Sequence, residues 1–453
     1  MRTQATQVTM LVTMLAVACG SPAPTHTATA PPPTPTVTKQ EAPVQDDESR
    51  VRGFIAKLVA NDWDGATALF DDTMRAALPK EKMAAIWHKL EESAGAFKTI
   101  DAVEITVKDP FHIGAAQASF ERAPLLLRVV LDSQGRVSGF FVAPGDTAAS
   151  WKPPTYANAD AFTETRITVG TPALPGTLTV PRNAKNYPAV VLVHGSGPND
   201  EDETIGANKP FKDLAWGLAS RGVAVLRYDK RTRVDPAGVR TQKEEVDDAA
   251  HAAVALLQKQ PDVDPKRIVV LGHSQGAQLG PRIAKNDPAI KGLVLLAAPT
   301  RSWGDLVIAQ LQFLKAKPDV ILQAQHFKAT IESPTLKAGD NVAFPLGDGS
   351  STDIPGAYFL DMRGYHPEKV AATLTIPLLV LQGERDYQVS VTADFPAWKA
   401  ALAQKKNATL KTYPALNHLF CPGDGPPSPD EYMKASHVDE KVIVDIADFA
   451  TKL

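Results

Sequence analysis

Cysteine is nearly missing from this chain: of 453 residues only Cys19 and Cys421 carry a thiol. One disulfide at most is available, which excludes a cysteine-stapled scaffold. An excess of charge of one sign is missing too, since 48 Lys and Arg face 51 Asp and Glu for a formal net charge of -3. Without a basic stripe, nucleic acid is excluded as an expected partner. The apolar run "VTMLVTMLAVA" (Val8 to Ala18) is too short to span a bilayer. His251, His366 and His437 lie in helical or loop contexts without metal-ligand spacing, so no metal or other cofactor is expected.

What is present fits a globular protein, with 44% hydrophobic and 22% charged residues. The length exceeds what one core usually serves, so two folded domains plus tails are expected. Arg2 followed by the apolar run reads as a secretory leader over residues 1–19. Its end, "LAVAC", resembles a bacterial lipoprotein signal, which implies lipidation of Cys19 and a place in the cell envelope, with membrane contact only through that anchor. An ordinary cleaved leader with an incidental cysteine is the alternative. With Cys19 lipidated, no disulfide remains within the mature chain. Residues 20–49 are rich in Pro, Thr and Ala and cannot bury enough surface to order themselves. As an extended tether they reach on the order of 90 Å, at ~3.1 Å per residue.

Residues 50–147 read as a small α+β domain. "VRGFIAKLVANDWDGATALF" and "KEKMAAIWHKLEESAGAF" carry apolar residues at helical spacing. "AVEITVKD", "AAQASFER", "PLLLRVVLD" and "GRVSGFFVAP" follow as an antiparallel series of strands. The segment resembles the nuclear-transport-factor-like cone domain that precedes some exported hydrolases, and it holds no catalytic motif. "WKPPTY", Trp151 to Tyr156, marks a boundary. Beyond it, over 155–453, apolar runs such as "YPAVVLVHG", "VAVLRYD", "KRIVVLGHS" and "IKGLVLLAAP" alternate with amphipathic helices. Such runs fit strands buried on both faces of a mostly parallel sheet, whose strand C-termini share one edge.

"GHSQG", Gly272 to Gly276, sits where such a strand meets a helix, the context in which G-x-S-x-G holds a strained nucleophile. A turn that sharp leaves no room for side chains at Gly272 and Gly276. A base and an orienting acid are expected at later strand ends. "IPLLVLQGERDYQV" offers Asp386, with Glu384 as the alternative acid, and "ATLKTYPALNHLF" offers His418. Serine needs an imidazole to accept its proton near neutral pH, and the acid holds that imidazole in the right tautomer. After an earlier strand, "LVHGSGPND" frees the Ser196 N–H, which with the Gln275 N–H makes a two-donor oxyanion hole.

With these residues in place, 160–453 resembles the α/β-hydrolase superfamily, in particular exported bacterial esterase and serine-aminopeptidase-like proteins. The resemblance implies an α/β-hydrolase domain whose mostly parallel sheet carries a helical cap insertion, at about 301–374, behind the small α+β domain. It implies a serine esterase acting on small-molecule esters through an acyl-enzyme. A peptidase or an acyltransferase on the same fold stays open, as does a non-catalytic binding lipoprotein on a hydrolase scaffold. Phe313, Phe327, Tyr358 and Phe359 are the candidate pocket liners in the insertion.

Other residues carry two readings each. The acids of "NDEDET", Asn199 to Thr204, bind a substrate amine or cap and pair within the protein, and "RYDKRT", Arg227 to Thr232, poses the same choice. His194 and His273 flank the machinery and are read as shaping its loops. Cys421 is read as a buried apolar filler.

Overall fold

In a computed structural model of the chain, the described residues run from 44 to 453, apart from Asp109, Ala123, 145–150 and Asn183. The leader, Cys19 and most of the tether lie outside them. The contacts divide the chain into two compact units, one within residues 24–150 and one over Trp151–Leu453.

The first unit opens with four helices, Val44–Val59, Trp63–Ala68, Asp72–Ala77 and Lys80–Ala94. Strands β1 (Phe97–Lys108), β2 (Phe111–Phe120), β3 (Pro124–Leu131) and β4 (Val137–Pro144) follow, paired in that order as an antiparallel sheet. Burial along β2 alternates residue by residue, as a sheet with one covered face requires. The helices cover that face, and Phe54, Trp87, Ala116, Leu127 and Val129 meet in one core. One boundary is corrected. The first helix begins at Val44, inside the stretch read as tether, because Asp46 and Asp47 sit in its positive first turn and Arg50 and Arg52 pair back to Asp46 and Glu48.

The second unit carries strands β5 (Phe162–Val169), β6 (Leu174–Pro181), β7 (Tyr187–Val193), β8 (Ala224–Tyr228), β9 (Val263–His273), β10 (Gly292–Leu296), β13 (Leu378–Gly383) and β14 (Ala408–Tyr413). They form one sheet in the order β14-β13-β10-β9-β7-β8-β6-β5. From β14 to β8 every pairing is parallel; β6 and β5 join antiparallel. All seven residues of β7 are buried, because helices cover both faces. Ile268 and Val270 of β9 pack with the helices Asp248–Leu257 and Gln275–Asn286, whereas Val269 and Leu271 pack with Pro210–Ala219 and Glu440–Thr451. Each such side chain, fully buried, stabilises the fold by about 1.5–3 kcal/mol.

Between β10 and β13 lies the insertion expected over 301–374. Its first half is helical as read, Trp303–Phe313 and Pro318–Glu332. Its second half adds a hairpin that helical spacing did not announce, β11 (Asn341–Pro345) with β12 (Ser351–Pro355), joined through the turn residues "GDG". The helix Pro367–Thr373 leaves the cap as well, since Ala371 packs into the core beneath the sheet. Trp303, Phe327, Phe344 and Tyr358 of the insertion form a third core together with Val239, Tyr387, Leu419, Cys421 and Tyr432 from outside it.

Candidate active site

Strand β9 cannot continue past His273, because the chain must turn at once into the helix Gln275–Asn286. The turn is tight on both sides. A Cβ at Gly272 would lie 2.2 Å from the carbonyl oxygen of Gly276, and a Cβ at Gly276 would lie 2.2 Å from that of Val193. Between them Ser274 adopts φ 52°, ψ -112°. Such a conformation strains any residue with a Cβ and persists only where the surroundings impose it. Here they do so through its own backbone: Ser274 N–H donates to Leu296 of β10, and its carbonyl accepts from Gln278, both at 2.9 Å. Ser274 is the one partly exposed residue between buried His273 and Gln275.

Asp386 follows β13 and is buried. Its Oδ1 accepts from the N–H groups of Gln388 (2.8 Å) and Val389 (2.9 Å), and its Oδ2 lies 2.7 Å from His418 Nδ1. With the acid fixed by two backbone donors, the imidazole has one orientation in which to meet it. Glu384, the alternative acid, is exposed and accepts from Thr412 Oγ1 at 2.6 Å. It does not meet His418.

His418 is tied to the serine's side of the rim through His273. The two rings lie 4.7 Å apart between centroids, and His273 Nε2 is 3.0 Å from the His418 carbonyl oxygen. Among the described residues Ser274 Oγ makes no hydrogen bond. Contact therefore joins the acid to the base, while the serine and the base are brought to one rim by neighbouring backbone. Such bonds are often loose without substrate.

The expected oxyanion loop follows β7. Gly195 N–H is taken by Glu203 Oε1 at 2.6 Å, which leaves Ser196 N–H as the next donor; among the described residues it meets no backbone acceptor. A Cβ on Gly195 would come within 3.2 Å of Ser274 Cβ, so this loop borders the serine closely. Gln275 opens its helix, where the first N–H groups have no partner within the helix.

The histidines beside this machinery are placed by buried partners. Glu203 Oε2 lies 3.0 Å from His273 Nδ1. Burial opposes the charge on both, yet their attraction prevails: His273 is held above the ordinary histidine value and Glu203 below the ordinary carboxylate one. His194 stacks on Phe211 and meets the Tyr228 carbonyl, and burial lowers its pKa.

The rest of the acidic run is also paired within the protein. Glu201 meets Arg166 (2.6 Å), Asp202 meets Arg227 (2.9 Å) and Asp200 caps Thr204 N–H (2.9 Å). Asp229 accepts from Glu201 N–H at 2.8 Å. Cys421 is buried, which pushes its thiol pKa up and leaves it unreactive. Of the expected liners, Phe327, Tyr358 and Phe359 are buried in the core that the insertion shares with Tyr387 and Tyr432, while Phe313 is exposed and stacks on Tyr387, 4.5 Å between centroids.

Sequence reasoning did not single out Glu203 within its acidic run, nor the buried pair Lys230–Glu245, 2.9 Å apart. Glu245 stands in a π-helical turn, Lys243–Asp247, at the head of an otherwise regular helix. Such turns are frequent near functional sites, but amphipathic spacing alone does not reveal them.

A strained serine at a strand-to-helix turn, with an acid and a histidine at later strand ends of one parallel edge, defines the α/β-hydrolase architecture. Residues 190–435 match the alpha/beta hydrolase family, and the chain belongs to it. Residues 51–140 match a protein family of unknown function, DUF3887. Among curated relatives, the chain is 37% identical over 402 residues to Esterase EstD of Thermotoga maritima, covering 88% of this chain and 94% of that one. It is 27% identical over 171 residues to Cutinase est2 of Thermobifida alba, covering 36% of this chain and 53% of that one. Among solved structures, Est1E from Butyrivibrio proteoclasticus is 20% identical, with a TM-score of 0.43, covering 63% of this chain and 98% of that one.

Proposed function

We propose that the chain hydrolyses carboxylic esters with Ser274 as nucleophile, His418 as general base and acid, and Asp386 as its orienting partner. The backbone strain at Ser274, on the same rim as the 2.7 Å Asp386–His418 contact, carries this reading. Ser274 Oγ attacks the ester carbonyl carbon while its proton passes to His418 Nε2. Charge develops on the carbonyl oxygen, where the N–H groups of Ser196 and Gln275 receive it. Collapse of this intermediate breaks the bond to the alcohol, which leaves with the proton from His418. Water, deprotonated by the same imidazole, then attacks the acyl-enzyme and releases the acid and Ser274. Asp386 orients the imidazole through Nδ1 and stabilises the imidazolium.

The relationship to an esterase over most of the chain supports an ester rather than an amide substrate. So does the pairing of Asp200, Glu201, Asp202 and Glu203 within the protein, which leaves no carboxylate of that run committed to a substrate amine. Replacing Ser274 by Ala is expected to abolish both p-nitrophenyl acetate hydrolysis and fluorophosphonate labelling. Labelling of the variant as strong as the parent's would show the nucleophile to be another residue.

Export and anchoring through Cys19 complete the proposal, on the strength of "LAVAC" alone. A Cys19→Ala chain expressed in bacteria should move from the membrane fraction to the soluble one; retention in the membrane would remove the anchor from the proposal.

A further inference from the structure

The chemistry just described makes no use of Lys230, although its side chain is only 2% exposed and its ammonium lies at the edge of the oxyanion loop. Its three possible donors find three acceptors: Gly195 O at 2.7 Å, Gln275 Oε1 at 2.7 Å and Glu245 Oε1 at 2.9 Å. A buried ion pair is weak evidence for stability, because apolar side chains of similar volume often serve as well. The position of this one is more informative. In a trans peptide unit the C=O and the N–H point in opposite directions. The Gly195 carbonyl held by Lys230 belongs to the same peptide unit as the Ser196 N–H. Drawing that carbonyl toward the ammonium therefore turns the Ser196 N–H the other way.

The other side of Gly195 is held as well, its N–H by Glu203 Oε1 at 2.6 Å. The residue before the donor is thus gripped by a cation at its carbonyl and an anion at its amide. Lys230 reaches the second donor's residue too. The Gln275 side chain, fixed at Oε1 by Lys230, gives its Nε2 to Tyr358 Oη at 2.8 Å and to Glu245 Oε2 at 3.2 Å. The π-helical turn at Lys243–Asp247 is what brings Glu245 to this network.

We infer that Lys230 is a positioning residue for the oxyanion hole, holding the Gly195–Ser196 peptide in one orientation and polarising it, and fixing the side chain of the second donor's residue, Gln275. This rests on the assignment of Ser274, Ser196 and Gln275 under the proposed function. A positive charge on the carbonyl side of an amide strengthens its N–H as a donor. The effect grows as negative charge develops on the substrate, so it belongs to the transition state rather than to ester binding.

The test compares Lys230→Met with a Lys230→Met, Glu245→Gln double variant, which leaves no lone charge buried. For p-nitrophenyl acetate, kcat is expected to fall about 10–100-fold in both, below the ~10²–10³ for deleting a donor outright, because the donors remain but lose their aim. KM should stay within about twofold. An alkyl trifluoromethyl ketone forms an oxyanion on the serine, and its inhibition constant should rise by the same factor as kcat falls. The matching non-fluorinated ketone should bind as before. Parental kcat and trifluoromethyl ketone inhibition in a folded variant, or a loss confined to KM, would overturn the inference. Failure of both variants to fold, seen by circular dichroism, would overturn it in favour of a purely structural role. Fluorophosphonate labelling of the parent separates the two proposals. A parent that does not label at Ser274 defeats the reading of the site, whereas a labelling parent matched in kcat by Lys230→Met defeats only the role of Lys230.

Discussion

The two units of this chain treat charge in opposite ways. In the first, Asp47 is the only buried polar or charged residue among those described; in the second, Glu203, Lys230, Arg227, Glu245, Asp386 and His418 are all buried. The difference follows from the sheets. A four-stranded antiparallel sheet with one face packed and the other turned to water can leave its charges at the surface, where Arg50–Asp46 and Lys80–Asp64 lie. A parallel sheet covered on both faces has no wet side, so, Arg227 of β8 apart, the buried charges just named collect beyond the strand ends. Glu203, Lys230 and Asp386 follow β7, β8 and β13. The lesson is that in this molecule the depth of a charge, more than its number or type, separates the unit with the proposed site from the unit without one.

Breaking a deep pair should therefore cost much more than breaking its shallow counterpart. Glu203→Gln removes the partner of His273 from a site where Glu203 is 1% exposed, and the fold should lose about 2–3 kcal/mol by urea unfolding. That is less than the usual 3–5 kcal/mol for an orphaned buried charge, because His273 can shed its proton. The pH dependence sharpens the comparison. With its folded pKa raised, His273 contributes its full stabilisation below the ordinary imidazole value, and loses it as pH rises through the elevated one. Glu203, with its folded pKa lowered, contributes above the ordinary carboxylate value and loses that only as pH falls through the lowered one. The gap between parent and variant should accordingly narrow on the alkaline side in unfolding curves from about pH 6 to pH 9. A constant gap would mean that the pair is not charged.

The smallest effect is expected in the first unit. Asp47 meets His112, whose side chain is 27% exposed. Asp47→Asn should lower the unfolding free energy by no more than about 1 kcal/mol and leave ester turnover within about twofold of the parent. A larger loss of turnover would mean that this unit contributes to hydrolysis, which nothing in its buried chemistry suggests.

Much of the second unit was legible because its signals are local. "GHSQG" announces a turn with no room for a side chain at either glycine, and each later strand ends a few residues before Asp386 or His418. The four strands of the first unit were legible for a similar reason, since alternation reports a one-sided sheet. The hairpin of β11 and β12 was not, because five-residue strands beside two helices offer too little pattern, although "GDG" was a usable turn signal. The start of the first helix was hidden by the proline-rich stretch before it. Lys230 and Glu245 were not legible in principle: fifteen residues separate them, and only the packing of the segment after β8 against the π-helical turn brings one to the other. The same holds for Glu203 and His273, seventy residues apart in the chain.

Tyr358 belongs to the insertion, yet its hydroxyl meets Gln275 and Glu245 of the hydrolase core. The segment over 301–374 is for that reason not an interchangeable cover. A graft from a relative that brings an apolar residue to this point would leave the Gln275 amide and the Glu245 carboxylate each short of a neighbour. Chimeras intended to redirect specificity would then lose turnover before substrate choice could be measured, unless the incoming loop supplied a phenol or another hydroxyl at the same place.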